Sequence, residues 1–302
     1  MTGRAVDQPA STTPDGLLIV DKPPGMSSHD VVARCRRLAS TRRVGHAGTL
    51  DPMATGVLVV GIGRATRLLG YLALETKAYD ATIRLGQVTG TDDADGEVVE
   101  EHDASDVTGA AVRAVVRSLT GEIQQVPSAV SAIKVDGKRA YKRVRDGETV
   151  LIPPRTVRVS EFTVVDMVAS GPLLDVTVRV ECSTGTYVRA LARDVGAALG
   201  VGGHLTRLRR TRVGPYLVGQ ARTLDDLADK LPVVPLDVAA AAAFPTHVVV
   251  EARVDEVRHG RPLAARLGAP GPVAVLAPTG RFIALYEQHG PVAKPIAVFD
   301  PA

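Results

Sequence analysis

The sequence contains very little cysteine. Its 302 residues include only two, Cys35 and Cys182, and no Cys-x-x-Cys pair. A disulfide framework or a zinc site requires several cysteines or histidines at characteristic spacings, so the sequence argues against both. Such scarcity is typical of a reducing compartment, and the sequence therefore predicts a cytoplasmic protein without a metal site.

Long apolar runs are also missing. No stretch of about 18 apolar residues occurs, which excludes a membrane-spanning helix. The N-terminus lacks the basic and then apolar order of a signal peptide. Residues 1–15 are polar and rich in Thr, Pro and Asp, and they are predicted to form a disordered tail.

Aromatic residues and lysines are scarce. Phe, Tyr and Trp make up 3% of the chain, Trp is absent, and only seven of the 36 basic residues are Lys. Arginine is the better partner for phosphates and stacked bases. A coding bias towards Arg and Ala explains the same composition, and a net charge of +3 does not by itself indicate nucleic-acid binding.

Residue patterns predict a mixed architecture. Tyr79 to Leu85 and Leu174 to Cys182 alternate between apolar and polar residues, as half-buried strands do. Ser27 to Asp30 resembles a capping box, and Tyr187 to Leu199 has helical spacing with Gly200 as its C-cap. No βαβ regularity occurs, so the predicted fold class is α+β with a mixed, mainly antiparallel central sheet and flanking helices.

Two stretches of the chain have an unusual composition. Prolines and an alanine run between Pro232 and Pro245 indicate a boundary, which separates a large domain at residues 16–240 from a small β-rich domain at residues 246–302. The acidic, glycine-containing segment from Thr91 to Asp106 is predicted to be an exposed loop.

The segment from Arg43 to Val60 carries the most informative pattern. It reads RVGHAGTLDPMATGVLVV and places one carboxylate, Asp51, in a glycine-flanked loop before an apolar strand. The glycines permit backbone conformations and close approaches that a Cβ forbids. An acid on a loop anchored to a rigid strand is a suitable catalytic group. An Asx-turn acid in an ordinary hairpin explains the spacing equally well.

This segment resembles the catalytic motif of the pseudouridine synthase family. The family pattern G-H-x-G-T-L-D-P-x-A-x-G-x-L is matched at every position from Gly45 to Leu58. The resemblance implies that Asp51 is the catalytic carboxylate and that His46 lies against the target base and backbone. Without the resemblance, His46 is simply a polar loop residue.

Further family motifs follow in the family's order. Lys22 begins a segment that resembles K-P-x-G-x-S-S, and Tyr79 resembles the family's active-site tyrosine. Tyr187 and Arg189 belong to a match to G-T-Y-x-R-x-L, in which both line the active site. Leu208 lies in a segment whose backbone contacts uracil in the family. Without the resemblance, the tyrosine at 79 is a core aromatic and the lysine ends a strand.

The role of Arg189 can also be inferred from its chemistry, without the resemblance. A fixed arginine near Asp51 would keep the carboxylate ionised and hold its orientation through a charge-assisted pair. A surface arginine on a helix is the plainer interpretation of the same residue.

A basic region lies between Gln124 and Arg155. Its cations surround Tyr141, and Gly137 and Gly147 punctuate the segment. Such a segment can grip a phosphate backbone, or it can be a solvated charged loop. It resembles a family insertion, here residues 124–155, that clasps RNA. The resemblance implies RNA-backbone contacts for Lys134, Lys138, Arg139, Lys142 and Arg143.

The resemblance implies a complete function. The chain would have the pseudouridine synthase fold with a C-terminal domain similar to the PUA type. As an isomerase, it would convert uridine 55 of the TΨC loop of tRNA by flipping the base out, cleaving its glycosidic bond with the help of Asp51 and re-forming a bond through C5. No cofactor or metal is implied. The T stem-loop would be the partner of a monomer that needs no other protein.

Three alternatives remain at this stage. The first is a pseudouridine synthase that is guided by a separate RNA. The basic insertion argues against it, because the RNA-guided branch resembles a form of the fold that lacks this insertion. The second is a tRNA-folding chaperone, with or without catalysis, and the joint presence of Asp51, Tyr79 and Arg189 argues against a lost activity. The third is a glycoside hydrolase, which usually needs a second essential carboxylate.

Overall fold

The computed structural model describes residues 14–128, 134–135, 138–139 and 152–302. The strands are Gly16–Lys22 (β1), Val44–Ala47 (β2), Thr55–Ile62 (β3), Lys77–Leu85 (β4), Gln87–Thr89 (β5), Val98–Glu101 (β6), Gly121–Gln125 (β7), Lys134–Val135 (β8), Lys138–Arg139 (β9), Arg155–Ser170 (β10), Leu173–Cys182 (β11), Gly203–Val213 (β12), Tyr216–Leu217 (β13), Val234–Pro235 (β14), Thr246–Val248 (β15), Val273–Leu276 (β16), Phe282–His289 (β17) and Val292–Val298 (β18). The α-helices are Ser28–Leu38 (α1), Leu69–Leu72 (α2), Gly109–Ser118 (α3), Val188–Leu199 (α4), Leu224–Asp229 (α5), Leu236–Ala243 (α6) and Val254–Arg258 (α7). The predicted N-terminal tail lies outside the described residues except for Pro14 and Asp15.

Ten strands form one large sheet in the order β14-β1-β3-β12-β4-β11-β10-β7, with β2 beside β3 and β13 beside β12. All pairs are antiparallel except β3 and β12, which run parallel. The predicted α+β class with a mixed, mainly antiparallel sheet is confirmed.

Local sequence patterns account for several of these elements. Alternate residues of β4 are buried from Lys77 to Leu85, as the period of two predicts. Ser27 and Asp30 form the predicted capping box at the start of α1. Gly200 ends α4 with a left-handed φ of 74°, which glycine adopts without a steric cost.

The C-terminal residues form a second, four-stranded sheet in the order β15-β16-β17-β18. Phe282 and Phe299 from this region share one apolar cluster with Leu17 and Val59 of the large sheet. The predicted small β-rich C-terminal unit is therefore present and packs against the large sheet. No helix in the described part of the chain is both long enough and apolar enough to cross a membrane.

One local prediction was wrong. The segment from Thr91 to Asp106 contains β6 and is not a fully exposed loop, because the carboxylate of Asp93 turns inward and only 3% of this residue is exposed. The alanine run at the predicted boundary forms α6, since alanine is the strongest helix former, and Ala239 and Ala240 pack between the two sheets. The domain limits themselves stay a prediction.

Close contact between β3 and β12 fixes the position of the loop before β3. Gly56 lies opposite Arg210 in the parallel register. Its φ is +98°, and a Cβ at this position would lie 2.2 Å from the carbonyl oxygen of Arg210. Only glycine lets the two strands approach this closely with that backbone conformation.

This contact gives a prediction for Gly56→Ala. We expect the free energy of unfolding to fall by about 2–4 kcal/mol, because the added methyl group meets backbone atoms that cannot rotate away. Urea denaturation of both proteins measures the change. Gly70→Ala in α2 is the matched control, since a Cβ there meets no atom within 4 Å. Equal stability of the two variants would contradict the proposed strand contact.

Candidate active site

The loop between β2 and β3 presents Asp51, and buried side chains bind its backbone. The Ser28 hydroxyl accepts a hydrogen bond from the Leu50 amide at 2.8 Å and donates to the Leu50 carbonyl at 3.1 Å. The Asp51 carbonyl accepts from the Ala54 amide at 3.1 Å. The residues on both sides of the carboxylate are therefore fixed before any substrate binds.

Lys22 binds the loop after Asp51. The residue is fully buried, and its Nζ donates to the carbonyl oxygens of Pro52 at 3.1 Å, Ala54 at 2.7 Å and Pro23 at 2.8 Å. Burial lowers its pKa to about 8, and the nearby Asp51 carboxylate opposes this shift. All three ammonium protons are directed at protein carbonyls.

Arg210 binds the loop before Asp51. This side chain is 1% exposed and donates from Nη2 to the Gly48 carbonyl at 3.0 Å, and from Nη1 to the Thr49 carbonyl at 3.4 Å. Its Nε donates to the Val57 carbonyl of β3 at 2.7 Å. The loop is thus held by one buried cation on each side of its carboxylate.

Arg189 lies between two carboxylates. Its Nε is 3.1 Å from Asp51 Oδ2, its Nη2 is 3.3 Å from Asp51 Oδ1, and its Nη1 is 3.3 Å from Asp93 Oδ2. The same Nη1 donates to the Thr91 carbonyl at 2.9 Å. The Asp51 side chain is 36% exposed, whereas those of Arg189 and Asp93 are 6% and 4% exposed. The predicted pairing of Arg189 with Asp51 is present, and Asp93 restrains the guanidinium from behind.

The pKa of Asp51 shifts in the direction opposite to the one expected from a nearby arginine. Burial raises the pKa of its carboxyl above the usual value, and Arg189 only partly opposes that shift. The carboxylates of Asp93 and Asp95 also push the pKa upward. A carboxylate with a raised pKa is a better base and nucleophile than one that is strongly stabilised by its arginine.

Asp51 opens into a cavity of about 280 Å³ between the loop, β4, β12 and the start of α4. Five of the predicted site residues line it together: Asp51, Tyr79, Tyr187, Arg189 and Leu208. The ring of Tyr79 is buried, which raises the pKa of its hydroxyl. The cavity combines one reactive carboxylate with aromatic and aliphatic walls, an arrangement suited to a flat, uncharged ring.

Gln125, at the end of β7, fixes Tyr187. Its side-chain oxygen accepts from the Tyr187 amide at 2.8 Å, and its amide nitrogen donates to the Tyr187 carbonyl at 3.1 Å. Gln125 also pairs with Arg155 across the sheet. The basic segment therefore begins after Gln125 and ends before Arg155, two paired residues at one place in the sheet. Gln125 at this place also holds Tyr187 in the cavity wall.

The remaining predicted site residues lie elsewhere. His46 is in β2, and its ring makes an edge contact with His29 at a centroid distance of 5.5 Å. Neither it nor Lys22 is among the residues that line the cavity. Lys134 pairs with Arg139 in a short hairpin that also contains Lys138, whereas Lys142 and Arg143 fall outside the described residues. The substrate roles assigned to these residues stay predictions.

Five supporting residues were not identified from the sequence: Ser28, Lys77, Asp93, Gln125 and Arg210. Two of them carried a usable signal. Lys77 falls on the buried face of β4 by simple alternation with Tyr79, and Arg210 follows Leu208 at the same spacing in β12. A charged residue at an apolar position of a strand indicates a buried polar contact. The other three depend on contacts between distant segments.

The described residues contain no cluster of three or more His, Cys, Asp or Glu side chains that could hold a metal ion.

Comparison with known proteins identifies the family. Residues 36–188 match the model of the TruB family pseudouridylate synthase N-terminal domain. Residues 189–234 match the tRNA pseudouridylate synthase B C-terminal domain, and residues 244–300 match the C-terminal model of tRNA pseudouridine synthase II. The chain belongs to the TruB family of tRNA pseudouridylate synthases. The predicted family and enzyme class, an RNA-modifying isomerase, are confirmed.

Individual relatives agree. The chain is 60% identical over 290 residues to the tRNA pseudouridine synthase B of Thermobifida fusca, covering 94% of this chain and 98% of that protein. It is 59% identical over 294 residues to the Streptomyces griseus protein of the same name, covering 96% and 98%. In the structure of a Cbf5-Nop10-Gar1 complex, a chain with 27% identity matches with a TM-score of 0.73, covering 98% of this chain and 92% of that one.

Lys22 gives a testable prediction. Lys22→Met should lower the free energy of unfolding by about 2–4 kcal/mol at pH 7, because three carbonyl groups lose their donor. The folded-state pKa of about 8 lies below the ordinary 10.5, so the folded protein binds fewer protons than the unfolded chain in that window. Wild-type stability therefore gains with rising pH, and the deficit of the variant should grow between pH 8 and 10.

Urea denaturation at pH 7, 8.5 and 10 measures this growth. Lys230→Met is the control, since Lys230 is exposed and should give a small difference at every pH. A Lys22→Met deficit that stays constant across the series would show that Lys22 is not a buried ammonium in the folded protein.

Proposed function

We propose that this enzyme converts uridine 55 of the tRNA TΨC loop to pseudouridine, with Asp51 as its catalytic carboxylate. The observation that carries the proposal is the Asp51–Arg189 pair at the opening of a cavity lined by Tyr79, Tyr187 and Leu208. Relatives that are 55–60% identical over most of the chain bear the name tRNA pseudouridine synthase B, which supports a tRNA substrate.

The cavity supports a base-flipping mechanism. Asp51 lines the same cavity as Tyr79 and Leu208, so a uridine that fills this cavity has to leave its stack in the RNA loop. The volume of about 280 Å³ suits a single extruded nucleoside, against which the Tyr79 ring can stack. Leu208 lies on β12, the strand that pairs with β4 beside Tyr79, and backbone groups there can bind the edge of the uracil.

One carboxylate is sufficient for the reaction. The N1–C1′ bond breaks, the base turns, and C5 bonds to C1′ before C5 loses a proton and N1 gains one. The atoms balance without an oxidant, a reductant or a phosphate donor. Asp51 acts as nucleophile or base, and Arg189 holds its orientation through both carboxylate oxygens.

The basic segment supplies the grip on RNA in this proposal. It leaves the sheet at Gln125 and returns at Arg155, next to the wall that contains Tyr187. Phosphates of the T stem can then be held while the loop nucleotide enters the cavity. The RNA-guided alternative has less support, because the matched chains in two H/ACA structures are 28% identical to this chain, about half the identity of the tRNA enzymes.

The central test is Asp51→Asn on a T-arm hairpin with a single target uridine. We expect no detectable pseudouridine and nearly unchanged RNA affinity, because the amide keeps the shape of the carboxylate but is neither base nor nucleophile. Nucleoside mass spectrometry and a filter-binding titration measure the two quantities. Asp225→Asn, at an exposed acid, is the control. A rate within about tenfold of wild type, a barrier change of only ~1.4 kcal/mol, would rule out Asp51 as the catalytic carboxylate.

A second test addresses the basic segment. Replacing Lys138, Arg139, Lys142 and Arg143 with Ala should weaken RNA binding and flatten its salt dependence. Each lost phosphate contact should reduce the slope of log K against log salt by roughly 0.7 to 0.9. The rate at saturating RNA should fall less than the affinity, since these groups position the stem and do not touch the scissile bond.

The control for this test exchanges Lys and Arg at the same four positions, which keeps every charge and should preserve the salt slope. An unchanged slope in the alanine variant would place the RNA grip on another surface.

A further inference from the structure

The floor of the cavity carries two buried cations. Lys77 at the start of β4 and Arg210 in β12 both line the cavity, and they are 7% and 1% exposed. A Cβ placed on Gly48 would lie 3.4 Å from Lys77 Cε and 3.6 Å from Arg210 Nη1. Both cations therefore converge on the backbone three residues before Asp51.

These cations differ from Arg189 in their partners. Arg189 is paired with two carboxylates, whereas neither Lys77 nor Arg210 forms a salt bridge with any carboxylate of the described chain. Lys77 Nζ donates to the carbonyls of Ala73 at 2.9 Å and Glu75 at 2.8 Å. A charged ammonium has three protons, so one donor of Lys77 is not used by these two bonds.

The two cations differ in how many of their hydrogen-bond donors already have a protein partner. The Arg210 guanidinium is committed to three backbone carbonyls, and it also interacts with the Tyr79 hydroxyl, which it makes easier to ionise. Lys77 retains a donor next to the cavity, and burial together with Arg210 lowers its pKa to about 8. A desolvated ammonium of this kind donates strongly to an anionic oxygen and retains its proton at neutral pH.

The isomerisation creates an anion in this cavity. When the N1–C1′ bond breaks, its electron pair leaves with the base, and the negative charge spreads over N1, O2 and O4. If Asp51 adds to C6 first, the charge moves to O4. In either route the base becomes anionic at the stage where an enzyme gains most from fixed donors in a dry site.

We propose that Lys77 is a further catalytic residue, whose ammonium binds a carbonyl oxygen of the uracil and stabilises the negative charge of the detached base. Arg210 acts as a positioning residue in this proposal, because it fixes the loop and adds positive potential to the same end of the cavity. The inference rests on the proposed reaction at Asp51 and extends it to the leaving group.

An alternative is that Lys77 has only a structural role. Its two hydrogen bonds bind carbonyls at the end of α2, whose C-cap is Ala73. Removing the side chain would then loosen the cavity wall and slow the reaction without any role in charge stabilisation. The two readings differ in how the effect of a substitution depends on the acidity of the departing base.

The test compares two T-arm hairpins, one with uridine and one with 5-fluorouridine at the target position. Fluorine withdraws electrons and makes the detached base a weaker base and a better leaving group. Because C5 of the fluorinated base has no proton to lose, the loss of the starting nucleoside is measured in single turnovers. Lys77→Met removes the charge, and Lys77→Arg retains it.

We expect Lys77→Met to slow the uridine reaction by about 100-fold, the usual effect of removing one donor from a developing anion. The deficit should shrink to about tenfold or less on the fluorinated hairpin, because fluorine already stabilises the charge. Lys77→Arg should stay within about tenfold of wild type on both. Ser28→Ala is the matched control, since it disturbs the Asp51 loop without changing the charge of the floor, and its deficit should be equal on the two hairpins.

An equal Lys77→Met deficit on both hairpins would overturn the proposal and leave Lys77 as a cap for α2. The same conclusion would follow if Lys77→Arg were as slow as Lys77→Met while both melted at the wild-type temperature. Asp51→Asn, assayed in parallel, separates this failure from a failure of the proposed function. An active Asp51→Asn would refute the reaction site itself, whereas an inactive one with equal Lys77→Met deficits would refute only the role of Lys77.

Discussion

Buried donors on the carbonyl groups of one loop determine where Asp51 can be. Lys22 and Arg210 bind this loop after and before the carboxylate, and Ser28 binds the residue adjacent to it. A catalytic carboxylate must be held within a fraction of an ångström, and a glycine-rich loop has little rigidity of its own. The rigidity comes from β1, α1 and β12, which supply the three donors and are themselves fixed by the sheet.

The same arrangement explains why the two central strands run parallel at one point of an otherwise antiparallel sheet. Side by side, β3 and β12 bring the Arg210 side chain under the loop that enters β3. Gly56 is the residue that allows this approach, because any Cβ would meet the Arg210 backbone. The parallel pairing of β3 with β12, Gly56 and the buried Arg210 side chain therefore depend on one another, and together they fix the position of Asp51.

Patterns within a few residues were sufficient for much of the fold. The capping box at Ser27, the alternation of β4 and the left-handed Gly200 are local properties, and each was predicted from the sequence. Contacts between distant segments were not predictable in this way. Asp93 lies in a stretch whose acidity resembles a solvated loop, and its burial depends on Arg189, which is 96 residues further along the chain. Gln125 binds Tyr187 across the sheet for the same reason, and spacing alone cannot reveal such a contact.

The placement of charge within the cavity suits the proposed chemistry. In the proposed reaction, the Asp51 carboxylate reacts with a neutral nucleoside and then coexists with the negative charge of the detached base. In that reaction Arg189 reduces the repulsion beside the carboxylate, while Asp93 restrains the guanidinium from behind. Lys77 and Arg210 also line the cavity, close to Gly48, and neither forms a salt bridge with a carboxylate among the described residues. Under the proposal, cations that form no salt bridge with a carboxylate stabilise the charge of the detached base, and Asp51 is then the single acid that the reaction needs.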